Sequence, residues 1–132
     1  MSHKKVIILA EDDLEDREIF QTALMDACPE NKLELVENGV ELMELLETIS
    51  IPDIIVLDIN MPKKSGIECL EEIRSDSKYD EVAIYMLSTS NSPVEVERCR
   101  LMGANEYFVK PYNLDQLIEI VEHICSVSPR QV

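Results

Sequence analysis

Basic residues are scarce in this sequence: 12 lysines and arginines stand against 27 aspartates and glutamates, a formal net charge of −15 over 132 residues. Such a charge repels nucleic acid and anionic membrane by the same electrostatics that draw basic proteins to them. Neither is expected as a partner, which leaves other proteins. Long apolar runs are also missing. No stretch approaches the roughly 20 residues that a bilayer-spanning helix needs. Met1-Ser2-His3-Lys4-Lys5 leads directly into a strand pattern, without the hydrophobic region of a signal peptide. The sequence therefore predicts a cytoplasmic protein. His3 and His123 are isolated, and Cys28, Cys69, Cys99 and Cys125 have no C-x-x-C spacing. Each cysteine lies in or beside a helical apolar pattern, so all four are expected as reduced thiols in or near the core. Repeats, linkers and low-complexity segments are absent as well, and the length suits one domain with a core of its own.

What is present is an alternation of short apolar runs with segments of helical period, the pattern of a parallel sheet covered on both faces. The runs are Val6 to Ala10, Leu33 to Val36, Ile54 to Leu57, Val82 to Leu87 and Tyr107 to Val109. Between and after them come the stripes Phe20, Ala23, Leu24, Ala27; Leu42, Leu45, Leu46, Ile49; Ile67, Leu70, Ile73; and Leu114, Leu117, Ile118, Val121, Ile124. Asp12 or Asp13 is placed to cap the first helix and Asn113 the last. Pro52 is expected to stop the second. Pro93 suits the first turn of a helix reaching about Met102, which Gly103 would close in a left-handed conformation. A polar tail, Ser126 to Val132, follows the last helix. Right-handed crossovers then give an α/β fold: a five-stranded doubly wound parallel sheet of order 2-1-3-4-5, flavodoxin-like, with five helices.

In that order the first and third strands are neighbours, which brings Asp12 and Asp58 together from 46 residues apart. Ligands of open parallel sheets bind at the carboxyl ends of the strands. Four of these strands end in polar chemistry: Glu11-Asp12-Asp13, Asp58, Ser88 and Lys110. Two carboxylates about 4 Å apart repel by roughly 4 kcal/mol at an effective dielectric of 20, so converging acids call for a cation. Mg²⁺ fits, being an oxygen-seeking ion commonly held by one or two carboxylates plus a phosphate. Asp12 and Asp58 would ligate directly, Glu11 through water, and the Asn60 carbonyl would complete the set. Glu11-Asp12-Asp13 can also be read as a helix cap that favours the helix dipole, with no metal involved. Lys110 could bind a phosphoryl or carboxylate oxygen as a point charge. Ser88 offers a hydroxyl from the neighbouring strand end.

From Val6 to Ile124 the sequence resembles the receiver domain of two-component response regulators, of the chemotaxis-regulator kind. Ile7 to Asp13 resembles that family's first-strand acidic motif, and Asp53 to Gly66, DIIVLDINMPKKSG, its phosphoacceptor strand and loop. Leu87-Ser88-Thr89 is similar to its hydroxyl motif, and Gly103 to Pro111, GANEYFVKP, to its switch and lysine motif. The resemblance implies that residues 1–132 form a single receiver (response regulatory) domain with no effector domain. Asp58 would accept a phosphoryl group from a phosphohistidine on a sensor histidine kinase or a histidine phosphotransfer protein, with Mg²⁺ as cofactor. Lys110, joined to Pro111 by a bond commonly cis in this family, would pair with one phosphoryl oxygen, and Ser88 would bond another. The protein would not be an enzyme with a separate substrate. It would promote its own phosphorylation and dephosphorylation.

As Ser88 moved towards the phosphoryl group, Tyr107 would swing inward and change the surface of the fourth helix, fifth strand and fifth helix. Val94, Val96, Arg98, Tyr107 and Gln116 are candidates for display there to a downstream protein. Serine at position 88, where many members of the family carry threonine, keeps the hydroxyl but loses the methyl that limits its rotamers. Asn60, Thr89 and Ser90 occupy positions that line the path of attacking water and would set the phosphoryl lifetime. Two other classes fit some of these features. A receiver-like interaction module that works without phosphorylation would usually lack an acidic residue or the lysine, and none is missing. An aspartyl phosphatase of the haloacid dehalogenase class uses similar groups, but there the nucleophile precedes the acidic pair and a cap usually covers the substrate.

Overall fold

A computed structural model describes residues 4–127 of the chain. Its elements alternate strictly: β1 (Val6–Ala10), α1 (Leu14–Ala27), β2 (Lys32–Val36), α2 (Gly39–Thr48), β3 (Ile54–Leu57), α3 (Gly66–Arg74), β4 (Ala83–Ser88), α4 (Pro93–Leu101), β5 (Glu106–Val109) and α5 (Leu114–Cys125). A single 3-10 turn, Ser77–Tyr79, precedes β4. The sheet order is β2-β1-β3-β4-β5 and every pairing is parallel, as the alternation predicts.

Because strand side chains alternate between faces, the three central strands feed two cores. Ile8, Ala10, Ile55, Leu57, Ile84 and Met86 pack with Leu42, Leu46, Leu70, Ile73 and Cys99 of α2, α3 and α4. Ile7, Leu9, Ile54, Val56, Tyr85 and Leu87 pack with Phe20, Ala23, Leu24, Leu117, Val121 and Ile124 of α1 and α5. Both faces of β3 are fully buried, which explains its unbroken apolar run and leaves Asp58 as its first polar residue. Truncating Ile55 or Leu57 to Ala is therefore expected to cost about 2–5 kcal/mol.

The helix ends follow their cap chemistry. Asp13, not Asp12, caps α1 by accepting from the Asp16 amide, and Asn113 caps α5 through the Gln116 amide. Ser65 and Glu68 form a capping box on α3. Gly103 has φ +106°, the left-handed value expected after α4. Four boundaries differ from the sequence expectation. β2 begins at Lys32 and β5 at Glu106, each one residue early. α2 ends at Thr48, ahead of Pro52, because Ile49 turns extended and packs on the core. β4 begins one residue late and includes Ser88, which pairs with Val109 on β5. Most of the expected polar tail, residues 128–132, lies outside the described residues.

The cysteines require a correction. Cys69 and Cys99 are buried thiols as expected, but Cys28 and Cys125 are joined in a disulfide. Cys28 closes the C-terminal end of α1 and Cys125 that of α5, and these helices lie side by side against one face of the sheet. Their 97-residue separation carries no spacing signal, because helix packing alone brings the two together.

Candidate functional site at the carboxyl ends of the strands

The site is assembled by backbone pairing at the sheet edge. β1 and β3 run in register with Ala10 opposite Leu57, so the next residues, Glu11 and Asp58, leave adjacent strand ends. The Asp58 amide donates to the Ala10 carbonyl (3.1 Å) and the Glu11 amide to the Val36 carbonyl (3.0 Å), which fixes both backbones just beyond the sheet. On the other side the Lys110 amide donates to the Ser88 carbonyl (2.8 Å). Oxygens of Glu11, Asp12 and Asp58 lie within 4.8 Å of one another, a spacing a single cation can bridge. Asp12 is exposed, while Asp58 is 7% and Glu11 3% exposed, so the cluster has one open side and a buried back.

Lys110 answers this charge. Its Nζ lies 2.6 Å from Glu11 Oε1, 2.7 Å from Asp16 Oδ2 and 3.0 Å from Asp58 Oδ2. Burial opposes the lysine's charge, but its hydrogen bonds to Asp16, Glu11 and Asp58 more than compensate and raise its pKa above the ordinary value. Glu11 moves the other way relative to its charge. Desolvation, together with the field of Asp58, outweighs Lys110 and the Asp13 amide and pushes the Glu11 carboxyl up to about 7.

Ser88 is fully buried, and its Oγ accepts from the Ser90 amide at 3.4 Å. Asn60 is exposed, and its amide reaches Asp58 Oδ1 at 3.4 Å. The loop from Asp58 to α3 is held tightly: the Gly66 amide bonds the Ile59 carbonyl at 2.9 Å. A Cβ at Gly66 would lie 2.1 Å from the Asp58 carbonyl oxygen. Tyr107 is half-buried and donates its hydroxyl to the Ser90 carbonyl at 2.7 Å, tying β5 to the loop after β4. Of the residues expected on the neighbouring surface, Val94, Arg98 and Gln116 are exposed and Val96 is half-buried. The Lys110–Pro111 peptide is trans, against the cis form that the resemblance implies.

Asp16 and Arg17 were not among the expected site residues. Asp16 reaches Lys110 from the first turn of α1, and Arg17 donates to the Glu11 carbonyl at 2.8 Å and pairs with Glu37 at 3.2 Å. Both fall in the turn after the Asp13 cap, which points over the strand ends. That placement is the one signal the sequence offers for them.

A family model for the response regulator receiver domain matches residues 7–122, and with them all four strand-end motifs. The chain belongs to the response regulator receiver family. Chemotaxis protein CheY1 of Helicobacter pylori is 32% identical over 116 residues, covering 88% of this chain and 93% of that protein. Response regulator Rcp1 of Synechocystis is 31% identical over 126 residues, covering 91% and 86%. Among solved structures, the phosphorylated cyanobacterial phytochrome response regulator RcpA superimposes with a TM-score of 0.89 at 32% identity, covering 98% of this chain and all of that one (100%). The Mn²⁺-bound form of Rcp1 gives 0.86 at 28%, covering 96% and 99%. This receiver domain is accordingly a two-component signalling protein, and its acidic cluster is compatible with a divalent cation. No helix among the described residues is long and apolar enough to cross a membrane.

Proposed function

We propose that this receiver domain accepts a phosphoryl group on Asp58 from a phosphohistidine of a sensor histidine kinase or phosphotransfer protein, acting in the cytoplasm as a phosphorelay component. The observation that carries this reading is Lys110 Nζ at 3.0 Å from Asp58 Oδ2 beside the oxygens of Glu11 and Asp12. A carboxylate beside the exposed Asp12, a fixed cation and an acidic pair is what phosphoryl transfer asks for, since that chemistry needs positioning and charge neutralisation above all. The similarity to a phosphorylated regulator and to a Mn²⁺-bound one supports the same reading.

In the transfer, an Asp58 carboxylate oxygen forms a bond to phosphorus as the donor's P–N bond breaks and the imidazole leaves with the electron pair. Asp12, Asp58 and the Asn60 carbonyl would hold Mg²⁺, with Glu11 behind them, and the ion supplies charge neutralisation for the phosphoryl oxygens. Lys110 neutralises one oxygen and Ser88 donates to another. The hydroxyl's movement leaves space behind it into which Tyr107 swings, and this alters the face of α4, β5 and α5 that a downstream protein reads. The domain would thus promote its own phosphorylation and dephosphorylation, with Asn60, Thr89 and Ser90 governing water's approach. The test is intact mass after incubation with acetyl phosphate and Mg²⁺. One added phosphoryl group in the wild type, absent from Asp58→Ala and absent with chelator, is expected. No adduct under any donor concentration would favour a module that works without phosphorylation.

A further inference from the structure

The ammonium of Lys110 has three N–H groups, and three carboxylates take them: Glu11, Asp16 and Asp58, at 2.6, 2.7 and 3.0 Å. Two of these belong to the site's interior, where their side chains are 3% and 9% exposed. Asp16 differs. Its side chain is 38% exposed, it comes from α1 rather than from a strand end, and it lies on the outer side of the ammonium. Its backbone is also fixed, because its amide bonds the Asp13 cap at 2.9 Å in the first turn of α1. The carboxylate cannot drift far from Lys110.

We propose that Asp16 competes, from within the chain, with any anion arriving at Asp58 for the Lys110 ammonium. The proposal rests on the phosphoacceptor reading and names a control on that site's anion affinity. An anionic group on Asp58 needs a donor from Lys110, and every donor is already engaged. Glu11 is buried behind the lysine and has the Asp13 amide as its other partner at 3.1 Å, so it stays. The donor must come from the share held by Asp58 itself or by Asp16. Asp16 is the partner that water can solvate when released, which makes it the one to yield. Until it yields, its charge also faces the incoming anion. Glu11 and Asp58 keep the lysine aimed without it, so removing Asp16 leaves the geometry and withdraws the competition.

The test uses the full chain and beryllofluoride as the anion, with Mg²⁺ present, titrated by calorimetry. Asp16→Asn is expected to bind beryllofluoride more tightly than wild type, on the order of fivefold, the scale of a partly exposed ion pair. Asp16→Ser, neutral and shorter, is expected to do the same, and Asp16→Glu, which keeps the charge, to stay near wild type. A purely structural role would not sort the variants by charge. The proposal is overturned if wild type binds and the neutral variants bind equally or more weakly, or if Asp16→Glu tightens as much as Asp16→Asn. Absence of binding by wild type and every variant overturns the phosphoacceptor reading, and the competition with it.

Discussion

At Lys110 one ammonium faces three carboxylates, while Asp12 shares the acidic cluster without an ion-paired cation among the described residues. Replacing Asp12 by Asn without metal removes repulsion and breaks no pair, so the melting temperature is expected to rise by about 3–5 °C, equivalent to roughly 1 kcal/mol. Saturating Mg²⁺ should erase the gain, and a lower melting temperature for the variant in chelator would show that the carboxylates do not crowd. Asp58 shares Lys110, so its neutral variant should gain less. Glu11 gives a pH dependence. Its folded pKa of about 7 lies above the ordinary 4.5, so the folded protein binds the extra proton between these values. Stability from this group is therefore fully present below about pH 4.5 and falls as pH rises through 7, by up to about 3 kcal/mol. Metal-free unfolding between about pH 5 and 7 should show this slope in the wild type and lose it in Glu11→Gln. Equal slopes in both proteins would contradict it.

Among the elements, the loop between β3 and α3 constrains the site most. Gly66 sits where a Cβ would meet the Asp58 carbonyl oxygen at 2.1 Å, so Gly66→Ala must displace backbone rather than a flexible side chain. Loss of about 2 kcal/mol or more and weaker Mg²⁺ binding are expected together, measured by urea unfolding and metal titration. Retained metal affinity would show that the loop shifts without disturbing Asp58. The element pattern was legible because apolar runs and stripes record burial directly: β3 is buried on both faces and reads as an unbroken run. The ends of elements were less so. Ile49 has an apolar side chain but leaves the helix, and Ser88 is polar yet completes β4, since backbone pairing with Val109 overrides side-chain type there. The Cys28–Cys125 bond and the Asp16–Lys110 pair were not legible because each depends on how α1 lies against a neighbour. Sequence spacing does not encode that packing.

For the whole molecule, a formal charge of −15 means that folding concentrates like charge. Raising monovalent salt from about 0.01 to 0.15 M shortens the Debye length from about 30 to 8 Å and should raise the melting temperature of the metal-free protein. A fall would place the dominant electrostatics in favourable pairs instead. Topology turned isolated residues into a site: the order β2-β1-β3-β4-β5 makes Glu11 and Asp58 neighbours, and places Ser88 and Lys110 on the next strands. Asp58, Lys110, Asp12 and Glu11 were identifiable from their strand ends, and the structure brings all four together. The most direct measurement is a crystal structure grown with Mg²⁺ and beryllofluoride. Beryllofluoride is expected on an Asp58 oxygen with Lys110 and Ser88 as donors, and the metal is expected on Asp12, Asp58 and the Asn60 carbonyl. A metal bound elsewhere, or an Asp58 left bare at saturating beryllofluoride, would contradict it.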